Sequence, residues 1–267
     1  MKYLLAVAVV LLVIPSISYA AVITTVEWES KPGSPWSYSG TVVDCAVTPS
    51  PSGGCALQMT IAAGTYASST GGGRSEYQLP VSQTDVYIGA WHRYSSNFVG
   101  HPNGWKMNFF TLTPGSGICR NVSFGRYGGT FSVVPQICWT DGSVAYRNDA
   151  NISAWDFNAH RNEWHWIETH TKVNTPGVAN GIFEIWIDDV LHLQYLNGKF
   201  RDAGDNGLIG IIQQDDTYGG GGSTIVSTMY HWIDHTVVST TRIGVPGGVQ
   251  VPTDTTPPTA PSSLVAQ

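Results

Sequence analysis

The chain has 267 residues, of which 42% are hydrophobic, 11% aromatic and only 12% charged, with 30 glycines. That balance suits short strands and tight turns in one large all-β domain, for which roughly 200–250 residues is ordinary, and not helical bundles. The formal net charge is −6, or −7 once Lys2 leaves with a signal segment, and without a basic stripe nucleic acid is excluded as an expected partner.

Met1 and Lys2, the apolar run LLAVAVVLLVI and the small-residue site Ser18-Tyr19-Ala20 make a secretory signal peptide of residues 1–20. The apolar run is too short for a comfortable membrane span and no later stretch qualifies. The mature chain is therefore expected to be secreted, extracellular or periplasmic, with no membrane partner. Residues 21–244 read as one sandwich domain. Residues 245–267 are a Pro/Thr/Ser-rich tail with no capacity to form a core, and DTTPPTAPSSLVA within it looks like the start of a fibronectin type III module.

Residues 22–29 (VITTVEWE) predict an opening strand, KPGSPWSYSGT a loop, and residues 56–62 (ALQMTIA) an alternating strand. After the Gly-rich GTYASSTGGG come strands at 74–79 (RSEYQL), 85–94 (DVYIGAWHRY) and 105–112 (WKMNFFTL). A hairpin turning at Gly128-Gly129 follows, then a loop over 141–161. Residues 161–194 predict the most regular hairpin: strands at 163–173 and 182–193 flank NTPGVANG, with its Pro-Gly and Asn-Gly turn signals. Asp188-Asp189 is expected to break or turn the end of the return strand. Strands at 208–214 and 228–239, separated by DDTYGGGGST, close the set. The architecture expected is an all-β, antiparallel two-sheet β-sandwich of jelly-roll type.

Four cysteines allow three pairings. A two-residue turn at Gly128-Gly129 sets Tyr127 opposite Thr130, Asn121 opposite Gln136 and Cys119 opposite Cys138, which leaves Cys45 to bridge Cys55. Zinc is the alternative, but no CxxC is present and export favours disulfides.

Candidate chemistry lies on strands that collect polar groups on one face. Arg74, Glu76 and Gln78 alternate along one strand, and Lys106, Asn108 and Phe110 along another. In the cysteine hairpin Asn121 and Gln136 share a face, with Arg120 and Arg126 on the other. Three such strands offering amides and cations to a concave surface would make a sugar-binding groove. Eight histidines invite a metal, but HExxH and related motifs are absent, so packing or surface roles are expected for them and no cofactor is called for. The pairs Asp188-Asp189, Asp202 with Asp205, and Asp215-Asp216 offer carboxylates to a structural Ca²⁺. No GxSxG motif exists for nucleophilic catalysis, and Glu184-Ile-Trp-Ile-Asp188 lacks the E-x-D-x-x-E spacing of jelly-roll hydrolases.

Several stretches resemble jelly-roll polysaccharide lyases of the alginate and glucuronan lyase group, within the concanavalin A-like superfamily. KVNTPGVANGIFEIWIDDVL is similar to that family's NTPG hairpin, IIQQDDTYGGG to its aromatic-Gly-Gly loop, and MYHWIDHTVVS to its closing strand, which usually carries Asp-Asn where this chain has Asp234-His235. NFVGHPNGWKMNFF resembles the segment bearing the cleft lysine, which would be Lys106. The resemblance implies β-elimination on an anionic, uronic-acid polysaccharide by a monomeric enzyme. It implies Lys106 as base with Tyr127 or Tyr218 as proton donor, and Arg74, Glu76, Asn108, Arg126 and Gln136 as substrate-binding groups. The competing expectations are a non-catalytic, lectin-like carbohydrate-binding domain and a glycoside hydrolase on the same fold.

Overall fold

Hydrophobic residues that recur every second position organise the described residues of this chain into sixteen strands. A computed structural model describes residues 21–47, 50–64, 72–99, 105–113, 120–127, 130–138, 144–146, 151–152, 155–218 and 227–247, with side chains described outside 105–152 and 217–218. In chain order the strands are β1 (Val22–Val26), β2 (Trp36–Ser39), β3 (Thr41–Asp44), β4 (Ala56–Ile61), β5 (Arg74–Gln83), β6 (Asp85–Tyr94), β7 (Trp105–Thr113) and β8 (Arg120–Tyr127). They continue with β9 (Thr130–Cys138), β10 (Val144–Tyr146), β11 (Asn151–Ile152), β12 (His165–Lys172), β13 (Gly181–Ile187), β14 (Val190–Gly198), β15 (Leu208–Tyr218) and β16 (Met229–Ser239). A 3₁₀ turn, η1 (Phe157–His160), precedes β12.

The strands form two antiparallel sheets. A nine-stranded sheet runs β11-β14-β13-β12-β6-β16-β4-β3, with β1 also on β16, and a seven-stranded sheet runs β10-β9-β8-β7-β15-β5-β2. The two pack face to face as a jelly-roll sandwich. β6 shows why: Val86, Ile88, Ala90, His92 and Tyr94 are all buried, whereas Tyr87, Trp91 and Arg93 on its other face are only partly so. Ile209 and Ile212 of β15, with Tyr77 and Leu79 of β5, meet them from the opposite sheet.

The predicted hairpin is β12 and β13, paired from Ile167↔Ile187 to Lys172↔Ile182. Its return strand ends earlier than expected. Asp188 and Asp189 both take left-handed backbone angles (φ 51° and 67°), and Ile187 pairs with Val190 across them. This is a two-residue hairpin turn, for which Asp tolerates the positive φ that a β-branched residue does not. The segment read as one strand over 182–193 is therefore two. The stretch read as a loop around Trp36 likewise holds β2 and β3, and the loop read over 141–161 holds β10, β11 and η1. β5 runs on past the expected 74–79, through Pro80, where the pairing with β15 jumps between Gln78↔Ile211 and Gln83↔Ile209. Proline, lacking an N–H, is accommodated at such an irregularity.

The β8–β9 register runs from Tyr127↔Thr130 to Asn121↔Gln136, as the sequence predicts; Cys119 lies outside the described residues. Cys45 and Cys55 are bridged, and the loop they close is fastened to β16 through Asp234, which accepts from Ser52 N at 3.0 Å and from the Ser50 hydroxyl. His235 beside it sits at φ 46°, next to the register shift between Asp234 and Val237. His, like Asn, is enriched in this left-handed region. Residues 1–20, read from the sequence as a signal peptide, and the tail beyond 247 lie outside the described residues.

The interior is not wholly apolar. His92 Nδ1 lies 2.9 Å from His231 Nε2, and His231 Nδ1 lies 3.1 Å from Asp216 Oδ2. All three residues are buried, and since Asp216 belongs to β15 the chain of contacts crosses from one sheet to the other. Beside it Gln214 Oε1 accepts from Ser75 and Thr236, and Thr236 accepts from the indole of Trp28. Tyr94 stacks on His231 with ring centroids 4.2 Å apart. The charged form of His92 is disfavoured by burial and by the adjacent His231, which holds its pKa well below the ordinary imidazole value.

Two outcomes follow. A Cβ on Gly89 of β6 would lie 2.2 Å from Cζ2 of the fully buried Trp166, so Gly89→Ala is expected to lower the unfolding free energy by about 1–3 kcal/mol in urea titrations. Because the unfolded chain takes up a proton near pH 6.5 that folded His92 refuses, its contribution is fully present above that pH and declines as pH falls below it. The stability difference between the parent and His92→Gln, measured by urea unfolding between neutral pH and pH ~5, should shrink by about 1.4 kcal/mol per pH unit below ~6.5.

Candidate functional site

Alternation along β5 sends Ser75, Tyr77 and Leu79 into the core and leaves Arg74, Glu76 and Gln78 on the outer face of the seven-stranded sheet. Arg74 Nε lies 3.9 Å from Glu76 Oε2, with the guanidinium half exposed. Directly across, Gln213 of β15 donates its side-chain amide to Glu76 Oε2 at 2.5 Å. Gln213 was not singled out from the sequence. Its signal is the pair Gln213-Gln214 inside a strand, where alternation must send one amide inward and the other outward.

Backbone register extends this position across the whole sheet. Ser37 pairs with Glu76, Glu76 with Gln213, Gln213 with Phe109, Phe109 with Asn121, Asn121 with Gln136, and Gln136 with Tyr146. One row thus crosses all seven strands. Lys106 pairs with Thr217 on one side and Ser123 on the other, whereas Asn108 pairs with Gln214 and Val122. Both neighbours register an irregularity between these two positions, so the plain period of two read for Lys106 and Asn108 does not run through this stretch. Counting along the strands, the positions of Lys106, Tyr127 and Gln136 fall in the alternation set of Glu76 and Gln213. Those of Asn108, Arg126 and Tyr218 fall in the set of the interior residues Gln214 and Asp216. The side chains of these six residues lie outside the described ones.

The outer face of the nine-stranded sheet is different. There Trp166, Glu168 and His170 of β12 point away from the sandwich yet are buried, and the segment after β16 lies over Glu168. Glu168 accepts from Ile243 N at 2.7 Å and Gly244 N at 2.9 Å; burial pushes its carboxyl up, against the pull of those amides. His170 contacts Glu184 and Asp85, each at 2.7 Å. Burial opposes its charge, but hydrogen bonds to the two carboxylates prevail and hold its pKa above the ordinary value. Tyr87, stacked on His170 at 4.0 Å, has its hydroxyl pushed up to about 12 by burial and by the carboxylates of Asp85, Glu184 and Glu168. Along β12 this face is covered by the chain's own residues.

The acidic pairs proposed for Ca²⁺ are engaged separately. Asp188 contacts His165, Asp189 binds Arg242, Asp202 binds Lys199, Asp205 caps Gly207 N, and Asp216 is interior. Among the tryptophans and tyrosines, Trp28, Trp36 and Tyr77 pack on one another at the sheet junction, with centroids 5.2 Å and 4.8 Å apart.

No protein-family model matches the sequence, and no curated protein matches it either. Solved structures do. The marine PL-14 alginate lyase from Aplysia kurodai superposes with a TM-score of 0.63 at 14% identity, covering 83% of this chain and 100% of its own. A variant of alginate lyase Aly36B in complex with an alginate trisaccharide gives 0.58 at 16% identity, covering 70% and 82%. The endo-β-1,4-glucuronan lyase from the fungus Trichoderma reesei gives 0.56 at 15% identity, covering 76% and 87%. At these identities the likeness is one of architecture: the chain shares the jelly-roll fold of alginate and glucuronan lyases.

Proposed function

We propose that the protein is a secreted polysaccharide lyase that cleaves a uronic-acid polymer by β-elimination. The observation that carries this reading is the Arg74–Glu76–Gln213 grouping on the open face of the seven-stranded sheet, whose row continues through Asn121 and Gln136 in a fold shared with alginate and glucuronan lyases. The Cys45–Cys55 bridge suits an oxidising compartment.

Elimination requires three things of such a face. The C5 carboxylate must be neutralised so that the adjacent proton becomes acidic; a guanidinium and amides do this, and Arg74, Gln213 and Gln136 occupy suitable positions. Glu76 holds Gln213 and Arg74 in place. A base must remove the C5 proton as the C4–C5 double bond forms and the C4–O4 bond breaks; Lys106 takes this role as a neutral amine, a state favoured by desolvation beneath a bound polymer. The departing O4 must receive a proton, which we assign to Tyr127. Tyr218, Asn108 and Arg126 are disfavoured, since their positions fall in the interior set.

A second reading rests on Asp215, which pairs with Arg74 and so lies diagonal to Glu76. Two carboxylates on one face are what glycosidases need. Incubation with alginate, glucuronan and other polyuronates separates the two: a lyase produces ultraviolet-absorbing unsaturated ends, a hydrolase only new reducing ends, and a lectin neither. Lys106→Ala is expected to lower kcat by at least ~10²-fold with the fold intact by circular dichroism. Gln213→Ala is expected mainly to raise KM, by roughly tenfold. Absence of unsaturated product from every polyuronate would sink the lyase reading.

A further inference from the structure

At the end of the nine-stranded sheet, where η1 runs into β12, the sequence His160-Arg-Asn-Glu163-Trp-His165 folds back on itself. Asn162 takes φ 66°, and the turn is pinned on three sides. Asn162 N donates to Tyr94 O at 2.7 Å, Arg93 donates to Asn162 Oδ1 at 2.7 Å, and Arg161 donates to Phe98 O at 2.8 Å. The result brings His160, Glu163 and His165 together, with one ligand atom of each within 4.8 Å of the others.

The spacing is that of ligands around an ion. His160 Nδ1 and His165 Nε2 lie 3.5 Å and 3.4 Å from the same oxygen, Glu163 Oε2. Nitrogen–oxygen hydrogen bonds are shorter, about 2.7–3.2 Å, whereas ligands held at ~2.0–2.1 Å in a tetrahedron stand roughly 3.3 Å apart. The orientation agrees. Asp188 Oδ2 lies 2.6 Å from His165 Nδ1, which turns the other ring nitrogen, Nε2, towards the Glu163 carboxylate. Nε2 is buried and has no hydrogen-bond partner among the described residues. A carboxylate behind a ligating histidine is also the usual support of a metal-bound imidazole. Trp155 stacks on the His160 ring, centroids 5.1 Å apart and planes 8° apart, and fixes the second imidazole.

We propose that His160, Glu163 and His165 bind one Zn²⁺, with Asp188 orienting His165 and the fourth position open to water on the exposed side. Two imidazoles and one carboxylate suit this borderline cation; Ca²⁺ and Mg²⁺ require oxygen ligands. The ion ties η1 to β12 and to the β13–β14 turn, and so acts as a clip on the sandwich that is independent of any chemistry on the seven-stranded sheet.

The test uses the full chain, stripped with a chelator and titrated with Zn²⁺, Ca²⁺ or Mg²⁺ by calorimetry and thermal unfolding. One Zn²⁺ per chain should bind, raising Tm by about 5 °C or more at a hundredfold excess over Kd, while Ca²⁺ and Mg²⁺ leave Tm unchanged. His160→Ala and Glu163→Gln alter partly exposed side chains and should abolish the zinc-dependent shift with an unchanged circular dichroism spectrum. Asp188→Asn keeps a residue suited to the left-handed turn and should weaken binding roughly 10–100-fold. The proposal fails if no stoichiometric Zn²⁺ binds, if His160→Ala and Glu163→Gln bind it as the parent does, or if Ca²⁺ binds equally well.

Discussion

The contact between His231 and Asp216 joins the two sheets through the middle of the sandwich, and much of the molecule is arranged around it. A carboxylate and two imidazoles are costly to bury unless they serve one another. Here they are supplied by three strands from two sheets, so the cost is offset only when β6, β15 and β16 are in register. Apolar packing alone tolerates small slips between sheets; a hydrogen-bonded chain does not. The register of β15 in turn fixes where Gln213 stands, because Ile212 and Gln214 on either side of it are committed inward.

That commitment explains the difference between the two outer faces. On the seven-stranded sheet, the outward residues described on β5 and β15 include Arg74, Glu76, Gln78 and Gln213, which are exposed or half-buried. On the nine-stranded sheet β12 turns outward Trp166, Glu168 and His170, large or charged residues that are buried, with Glu168 beneath the segment after β16. One fold has thus produced an outward face on β5 and β15 that is open and an outward face on β12 that the chain itself occupies.

How far the sequence disclosed this depends on the range of the interaction. Period-two alternation and turn chemistry are local, so the two-sheet class, the NTPGVANG hairpin and the β8–β9 register were legible from residues alone. Asp188-Asp189 was legible as a turn but not as the centre of a new hairpin, because the returning strand, VLHLQYLNG, carries too many polar residues to announce itself. Arg74 and Glu76 could be read as neighbours on one strand, but Gln213 joins them only through a pairing made more than a hundred residues later in the chain. His160, Glu163 and His165 were missed for a different reason. His160 falls in the stretch read as a loop, where strand spacing says nothing, and the left-handed Asn162 between it and His165 bends the chain where the two come together. Bulges, at Asp234–Val237 and between Lys106 and Asn108, are the other place where parity arguments stop, since one extra residue inverts every assignment beyond it.

The strap formed by Arg242 to Val245 has a mechanical consequence. It is held by the Glu168 carboxylate and by Asp189, on the face opposite the open one, before the chain passes into its Pro/Thr-rich continuation. Tension on that continuation would be borne by those two carboxylates and by β12 and β13, and not by β5 or β15. A molecule tethered from this side could be pulled without distorting the surface that faces a polymer. It would also present that surface away from its point of attachment.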